Sequence, residues 1–225
     1  MDSKADGNKQ VPIYIHKIKG PYEALFKRML DVILSGLAII CLSWLMLIVG
    51  VLVRINLGSP VIFTQDRPGK NGKIFKLYKF RSMSNVTDAN GNLLPAEQRL
   101  NRFGKILRST SMDELPELIN IFKGDMSIVG PRPLVVSYLP HYNKHDARRH
   151  EVRPGLTGLS QVSGRNTLTW KDKFQKDVEY VDNITFLIDL KIILMTVKKV
   201  FAREGIEFRE AHQPVMEYFK ENADL

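Results

Sequence analysis

Asp31-Val32-Ile33-Leu34-Ser35-Gly36-Leu37-Ala38-Ile39-Ile40-Cys41-Leu42-Ser43-Trp44-Leu45-Met46-Leu47-Ile48-Val49-Gly50-Val51-Leu52-Val53-Arg54 decides how the rest of this chain must be arranged. Between Asp31 and Arg54 lie 22 residues without a charge. Roughly 20 apolar residues in a helix span the hydrocarbon core of a bilayer, so the length permits a crossing. The run is apolar on every side, which is not the pattern of a half-buried helix in a water-soluble core. A mixed-charge segment precedes it and no small-residue cleavage site follows, so a removed signal sequence is disfavoured.

The charges on either side bear on its orientation. Six lysines or arginines precede Met29 (Lys4, Lys9, Lys17, Lys19, Lys27 and Arg28), and seven follow in a comparable window: Arg54, Arg67, Lys70, Lys73, Lys76, Lys79 and Arg81. A spanning helix carries its basic excess on the cytoplasmic side, and here both sides carry it. A re-entrant hairpin that enters and leaves by one face satisfies both flanks. Backbone bent inside a bilayer needs internal partners, and Ser43 can supply one by bonding a carbonyl in the previous turn. A straight span remains the alternative.

The whole chain has 225 residues and a formal charge of +9. That excess suits an anionic partner such as nucleic acid, acidic lipid or a phosphorylated substrate. No nucleic-acid reader motif accompanies the charge, so nucleic acid is not expected. The single cysteine, Cys41, excludes a disulfide framework within one chain. His145 and His150 lie in a basic, polar stretch and read as solvated rather than as ligands.

After the apolar run the period changes. Val61–Gln65 reads as a strand, Asp66-Arg67-Pro68-Gly69 as a turn, and Ile74–Met83 as a half-buried strand with a basic edge at Lys76, Lys79 and Arg81. Asn90-Gly91 marks a surface turn. Helical patterns cover Leu100–Leu107 and Met112–Phe122.

Between these patterns and running into the second stand Arg108-Ser109-Thr110-Ser111-Met112-Asp113-Glu114-Leu115-Pro116. Adjacent helical carboxylates point about 100° apart, so Asp113 and Glu114 are suited to different roles, one attacking while the other holds a metal or a proton. Ser111 to Glu114 also spells a capping box, which is a purely structural use of the same residues.

Three arginines sit in rigid or glycine-rich loops: Arg132 between Pro131 and Pro133, Arg153 before Pro154-Gly155, and Arg165 after Gly164. Such loops let amides and guanidinium groups approach phosphate. Further on, apolar residues recur at helical spacing from Phe186 to Phe201, with Lys191, Lys198 and Lys199 elsewhere on the wheel. That helix can pack on the core or lie in a membrane interface.

In order, these segments resemble a known family. They are Lys27-Arg28-x-x-Asp31, the apolar run, Phe63-Thr64-Gln65-x-Arg67-Pro68-Gly69, Lys79-Phe80-Arg81-Ser82-Met83, Arg108-x-x-Ser111-x-Asp113-Glu114-Leu115-Pro116-Glu117-Leu118, Gly124-Asp125-Met126-Ser127, Gly130-Pro131-Arg132-Pro133 and Arg153-Pro154-Gly155-x-Thr157-Gly158. The series resembles the small monotopic phosphoglycosyl transferases of bacterial glycan assembly from about residue 25 to 203. The short diacetylbacillosamine-type members are the most similar.

The resemblance implies transfer of a sugar 1-phosphate from a UDP-sugar to undecaprenyl phosphate, with UMP released. It implies Mg²⁺, a covalent phosphosugar intermediate on Asp113, Glu114 as the partner acid, and either carboxylate as a metal ligand. Arg108 is the implied phosphate contact. Lys79, Arg81 and the Gly130–Pro133 loop would line the nucleotide site, with Arg153 and Arg165 as further phosphate-binding candidates. The setting is the cytoplasmic face of the bacterial inner membrane, among acidic lipids and downstream glycosyltransferases. The expected fold is α+β and mostly helical, with a re-entrant helix, a small strand hairpin and amphipathic interfacial helices. Its parts would be a flexible segment 1–22, a membrane-inserted 23–57, a catalytic domain 58–205 and a tail 206–225. The family's usual Ser-Pro break is Ser43-Trp44 here, which leaves the bend less well supported than the catalytic residues. Other readings are UDP-galactose or UDP-glucose as donor, and a non-catalytic membrane scaffold.

Overall fold

A computed structural model describes residues 16–164, 168–202 and 215–222. The described residues are mostly helical, with two small sheets. Helix α1 (Lys27–Leu57) follows a π-helical turn, Tyr22–Phe26, and carries the apolar run. The chain stays helical through Ser43, whose Oγ donates to the Ile40 carbonyl at 2.8 Å without breaking the helix. The break expected there is therefore absent. No proline removes a backbone donor, and nothing interrupts the ladder.

One side of α1 is packed along its length, and the other is bare. Val49, Val53 and Leu57 join a core cluster with Phe80 and Leu107, while Ala38, Ile39 and Leu42 lie on the cluster of Leu77, Leu118, Ile121 and Met126. Leu37, Ile40, Trp44, Leu47 and Ile55 are exposed. Polar ties fix the N-terminal end. Asp31 accepts from the Ile128 amide (2.9 Å), Lys27 pairs with Asp189 (2.6 Å), and Arg28 donates to the Ile121 and Phe122 carbonyls (2.7 and 2.9 Å).

Strands β1 (Ile62–Pro68) and β2 (Ile74–Phe80) form the antiparallel hairpin, with Phe63 opposite Lys79. The turn falls at 69–73 rather than at Asp66–Gly69, because Arg67 and Pro68 still pair with Phe75 and Ile74. Short α2 (Ala96–Arg99) leads to α3 (Arg102–Ser109), capped by Asn101, whose side chain accepts from Gly104. A 3₁₀ turn at Met112–Glu114 and α4 (Glu117–Lys123) replace the single helix expected over Met112–Phe122. Pro116 sits between them as the N-cap of α4.

Strands β3 (Ser127–Val129) and β4 (Gly155–Thr157) pair in parallel. Their loops explain several glycines. A Cβ on Gly155 would collide with the Gly130 backbone, and one on Gly158 would meet the Gly130 carbonyl. The glycines read in the sequence as phosphate-approach positions thus let two loops lie against each other, which fixes where Arg132 emerges.

Between the two strands lies α5 (Lys144–Ala147), followed by a 3₁₀ turn at Arg148–His150. His150 is buried rather than solvated, and burial holds its ring well below the ordinary imidazole range, at about 3, so it is neutral. Helices α6 (Leu159–Ser163), α7 (Trp170–Asp182) and α8 (Phe186–Ala202) complete the main body. Helix α8 buries Ile192 and Asp189 while Leu187 and Leu194 face outward.

The segment expected to be a tail contains α9 (Val215–Glu221), which buries Val215, Tyr218 and Phe219 against Phe174. Its aromatic face packs with Tyr138, Tyr142 and Trp170, so this stretch belongs to the core. Residues 1–15 of the expected N-terminal segment lie outside the described residues. His16 and Lys19 are tied down: His16 bonds Glu151 (3.1 Å) and Glu23, and Lys19 donates to Glu23 from its backbone (3.0 Å) and to the Asp182 carbonyl.

Candidate active site

Ser111 turns the chain. Its φ of 56° is left-handed, which is uncommon for a residue with a side chain, and its hydroxyl caps nothing. The capping box read from the sequence is therefore not formed. Glu114 points away from the Ser111 amide and accepts from Lys79 (2.8 Å) and Arg132 (2.7 Å), both at Oε1. Asp113 turns into a cleft of about 1070 Å³ with 8% of its surface exposed.

The electrostatics of the two acids differ, as their geometry requires. Burial pushes the Asp113 carboxyl up to about 6, and the charge of Glu114 adds to this. Lys79, Arg108 and Arg132 oppose the shift without cancelling it. Burial alone would also raise Glu114, but Arg132 and Lys79 outweigh it and hold that carboxyl well below the usual range. Glu117 is a third acid. It is nearly fully buried, lies 3.0 Å from Lys79 Nζ, and is pushed upward mainly by burial. Lys79 is thus shared by two carboxylates.

Cations surround this group. Arg108, at the end of α3, donates from Nε to Ser82 Oγ (2.8 Å) and lines the cleft. Arg81 also lines it, though its Nη1 is engaged with the Ser59 carbonyl (2.7 Å). Arg132 faces the cleft, while the flanking Pro131 and Pro133 shape the loop without lining it. Arg153 is not brought here. Its Nε holds the Gly124 carbonyl (2.9 Å), since the Arg153–Gly155 stretch is used to pack β4 against β3. Arg165 lies outside the described residues.

The structure adds residues that sequence reading missed. Arg67 reaches the cleft from β1 with its Nη2 on Gln65 Oε1 (2.7 Å), and its buried Nε has no hydrogen bond among the described residues. Its place in the Thr64–Gly69 motif was the available signal. Arg149 and Asp177 form a buried two-pronged pair (3.0 and 2.7 Å), and Arg149 Nη2 also holds the Arg132 carbonyl (2.7 Å). Ser160 donates to the other Asp177 oxygen at 2.7 Å. Arg149 and Asp177 are 28 residues apart and carry no local signature.

Among the described residues no three His, Cys, Asp or Glu side chains stand together to hold a metal by themselves. Asp113 and the second oxygen of Glu114 nevertheless offer hard donors at the rim of a cationic cleft. Such a set fits Mg²⁺, which binds through one or two carboxylates and takes its remaining oxygens from water and phosphate.

Comparison with known proteins places the chain among relatives that act on sugar phosphates. A Bacillus subtilis protein named "Uncharacterized sugar transferase EpsL" is 51% identical over 183 residues, covering 81% of this chain and 91% of that one. The UDP-glucose:undecaprenyl-phosphate glucose-1-phosphate transferase of Klebsiella pneumoniae is 39% identical over 89% of this chain. The UDP-N-acetylgalactosamine-undecaprenyl-phosphate N-acetylgalactosaminephosphotransferase of Aeromonas hydrophila is 33% identical over 84% of it. The chain spans 45% and 46% of those two larger relatives. The family described as "Bacterial sugar transferase" matches residues 22–203, from the turn before α1 to the end of α8 and across every cleft residue described above, and this chain belongs to that family of enzymes.

Proposed function

We propose that this protein transfers a sugar 1-phosphate from a UDP-sugar to undecaprenyl phosphate and releases UMP. The observation that carries the reading is Asp113, a buried carboxylate held near 6 within a cleft lined by Arg67, Lys79, Arg108 and Arg132. At neutral pH it is ionised yet poorly solvated, which makes it a better nucleophile than a surface carboxylate. Its charge would repel a diphosphate, and the surrounding cations offset that repulsion. Arg67 and Arg108 lack carboxylate partners among the described residues, so they are free to meet phosphate oxygens.

The two-step route follows from one nucleophile serving two substrates. The Asp113 carboxylate forms a bond to the sugar-bearing phosphorus as the bond to UMP breaks. A phosphate has a second pKa near 6, so UMP leaves without a proton donor. An oxygen of the acceptor phosphate then forms the new bond to phosphorus, and the electron pair returns to Asp113. Glu114 keeps Lys79 and Arg132 aimed at the cleft. Mg²⁺, when bound, would neutralise part of the diphosphate charge.

The donor is a UDP-hexose. The resemblance favours an N-acetylated amino sugar such as diacetylbacillosamine, while relatives named for glucose and N-acetylgalactosamine support those donors equally. UMP release from a panel of UDP-sugars, with purified protein, Mg²⁺ and undecaprenyl phosphate in nanodiscs, tests the reading. Multiple turnovers with one donor, and a single equivalent of UMP without lipid, are expected. Release from none of them overturns the reading in favour of a scaffold.

A monotopic placement on the cytoplasmic face is part of this reading. Asp31 and Leu57 lie about 39 Å apart along a helix, yet both ends of α1 are fastened to the same folded body. A straight crossing would carry one end through a core of about 30 Å and tear it from its partners. The bare side of α1, the outer face of α8 and the flanking basic residues suit a surface rich in acidic lipid. A membrane-impermeant amine label on intact cells should reach neither Lys19 nor Lys70. Labelling of Lys19 alone would establish a crossing.

A further inference from the structure

The cleft is longer than its catalytic end. Besides the charged groups near Asp113, it is lined by apolar side chains of α1 (Ala38 and Leu42) and of α8 (Ile193 and Val197), together with Ile128 and Leu156. Polar groups in this lobe are few: Thr157 and Thr196 bond each other at 2.7 Å, Thr196 donates to the Ile192 carbonyl at 2.7 Å, Gln161 donates to the Leu156 carbonyl while its buried Oε1 has no hydrogen bond among the described residues, and Lys199 stands beside Val197 and Val200. The lobe opens where Val197 and Val200 are 47% and 43% exposed. Beside that opening stand the bare apolar faces of both helices, with Leu37 and Ile40 on one and Leu194 on the other.

We infer that this lobe receives the phosphate-proximal part of the acceptor's isoprenoid chain, led in between α1 and α8, while the acceptor phosphate reaches Asp113. The inference rests on the proposed transfer to a polyprenyl phosphate and adds where the chain lies. The acceptor's two ends make opposite demands. Its phosphate must enter a cationic cleft, and its chain cannot cross water without losing the hydrophobic free energy that keeps it in the bilayer. A single cleft that is charged around Asp113, mainly apolar between α1 and α8, and open beside two apolar helix faces meets both demands. The UDP-sugar, polar along its length, is matched only by the charged end.

Val197→Trp fills the mouth of the lobe from a half-exposed position that tolerates a large side chain, and Ala38→Trp fills it from the opposite wall. For Val197→Trp the KM for undecaprenyl phosphate should rise roughly tenfold or more, the effect of displacing a few methylene groups from their packing. The KM for the UDP-sugar should not change. The preference for undecaprenyl phosphate over geranyl phosphate should shrink as well. An unchanged acceptor KM and chain-length preference would mean that bilayer lipid, not the acceptor, fills the lobe, and the inference falls. An equal rise in both KM values assigns the lobe to the donor and also overturns it. Absence of UMP release from the wild-type protein would instead sink the proposed function, so the two failures are distinguishable.

Discussion

Asp113→Asn abolishes turnover, by at least about 1000-fold, and stabilises the fold. The loss follows because an amide is not a nucleophile here. The gain follows from linkage. The Asp113 carboxyl sits at about 6 in the folded chain against an ordinary 3.8. Its folded-state value is raised, so protonation favours folding. The stability it contributes is complete below pH 3.8 and is lost as pH rises through 6. Holding a carboxylate ionised in such surroundings costs about 3 kcal/mol at neutral pH, a cost that asparagine does not carry. Unfolding of both proteins in the same detergent at pH 5 and pH 8 should show the mutant more stable at pH 8 and the gap narrowing at pH 5. A gap independent of pH would refute this account of Asp113. Activity runs the other way, because only the ionised form attacks, so the rate should rise through pH 6 while wild-type stability falls. The same burial that makes Asp113 reactive makes it costly to fold.

Arg149→Met should cost about 3–5 kcal/mol, because among the described residues it leaves the buried Asp177 carboxylate with the Ser160 hydroxyl as its one hydrogen-bond donor and the more distant charge of Lys173. Both side chains of the pair are almost fully buried. The variant also frees the Arg132 carbonyl and with it the loop that aims Arg132 at Glu114. Arg149→Met with Asp177→Leu separates the two effects. Removing both charges should restore most of the stability, since a buried pair is roughly neutral against apolar replacements. Turnover should stay low, because nothing then holds the Arg132 backbone. Denaturant unfolding of the wild-type, single and double variants, with kcat for each, checks this. If the double variant recovers activity together with stability, the pair is structural only and Arg132 needs no support from it.

Several parts of the site were legible locally. Asp113 and Glu114 stood out as unequal carboxylates beside Arg108, and the structure gives them unequal surroundings, one buried in the cleft and one pinned by two cations. Lys79 was visible as the basic edge of an alternating strand, and it lines the cleft beside its cross-strand partner Phe63. The capping box was a false local reading. Ser111 adopts a left-handed conformation, and the long-range ion pairs of Glu114 outweigh a local bond to a backbone amide. Arg153 stands apart from the cleft on the Gly124 carbonyl, and a loop arginine looks the same in sequence whether it meets a ligand or a carbonyl. The Val215–Glu221 helix was missed because a single short apolar turn acquires meaning only against Phe174 and Tyr142.

The sequence by itself determined what depends on period and composition: the 22-residue uncharged run, the strand hairpin, the amphipathic α8 and the acidic pair beside Arg108. Only the tertiary structure decided which groups meet. The sharing of Lys79 by Glu114 and Glu117, the Arg149–Asp177 hold on Arg132, and the cleft joining Asp113 to side chains of α1 and α8 all join residues far apart in the chain. The physical reason is that local preferences extend over a few residues, whereas burial and charge pairing act through space and take their partners from wherever the fold brings them.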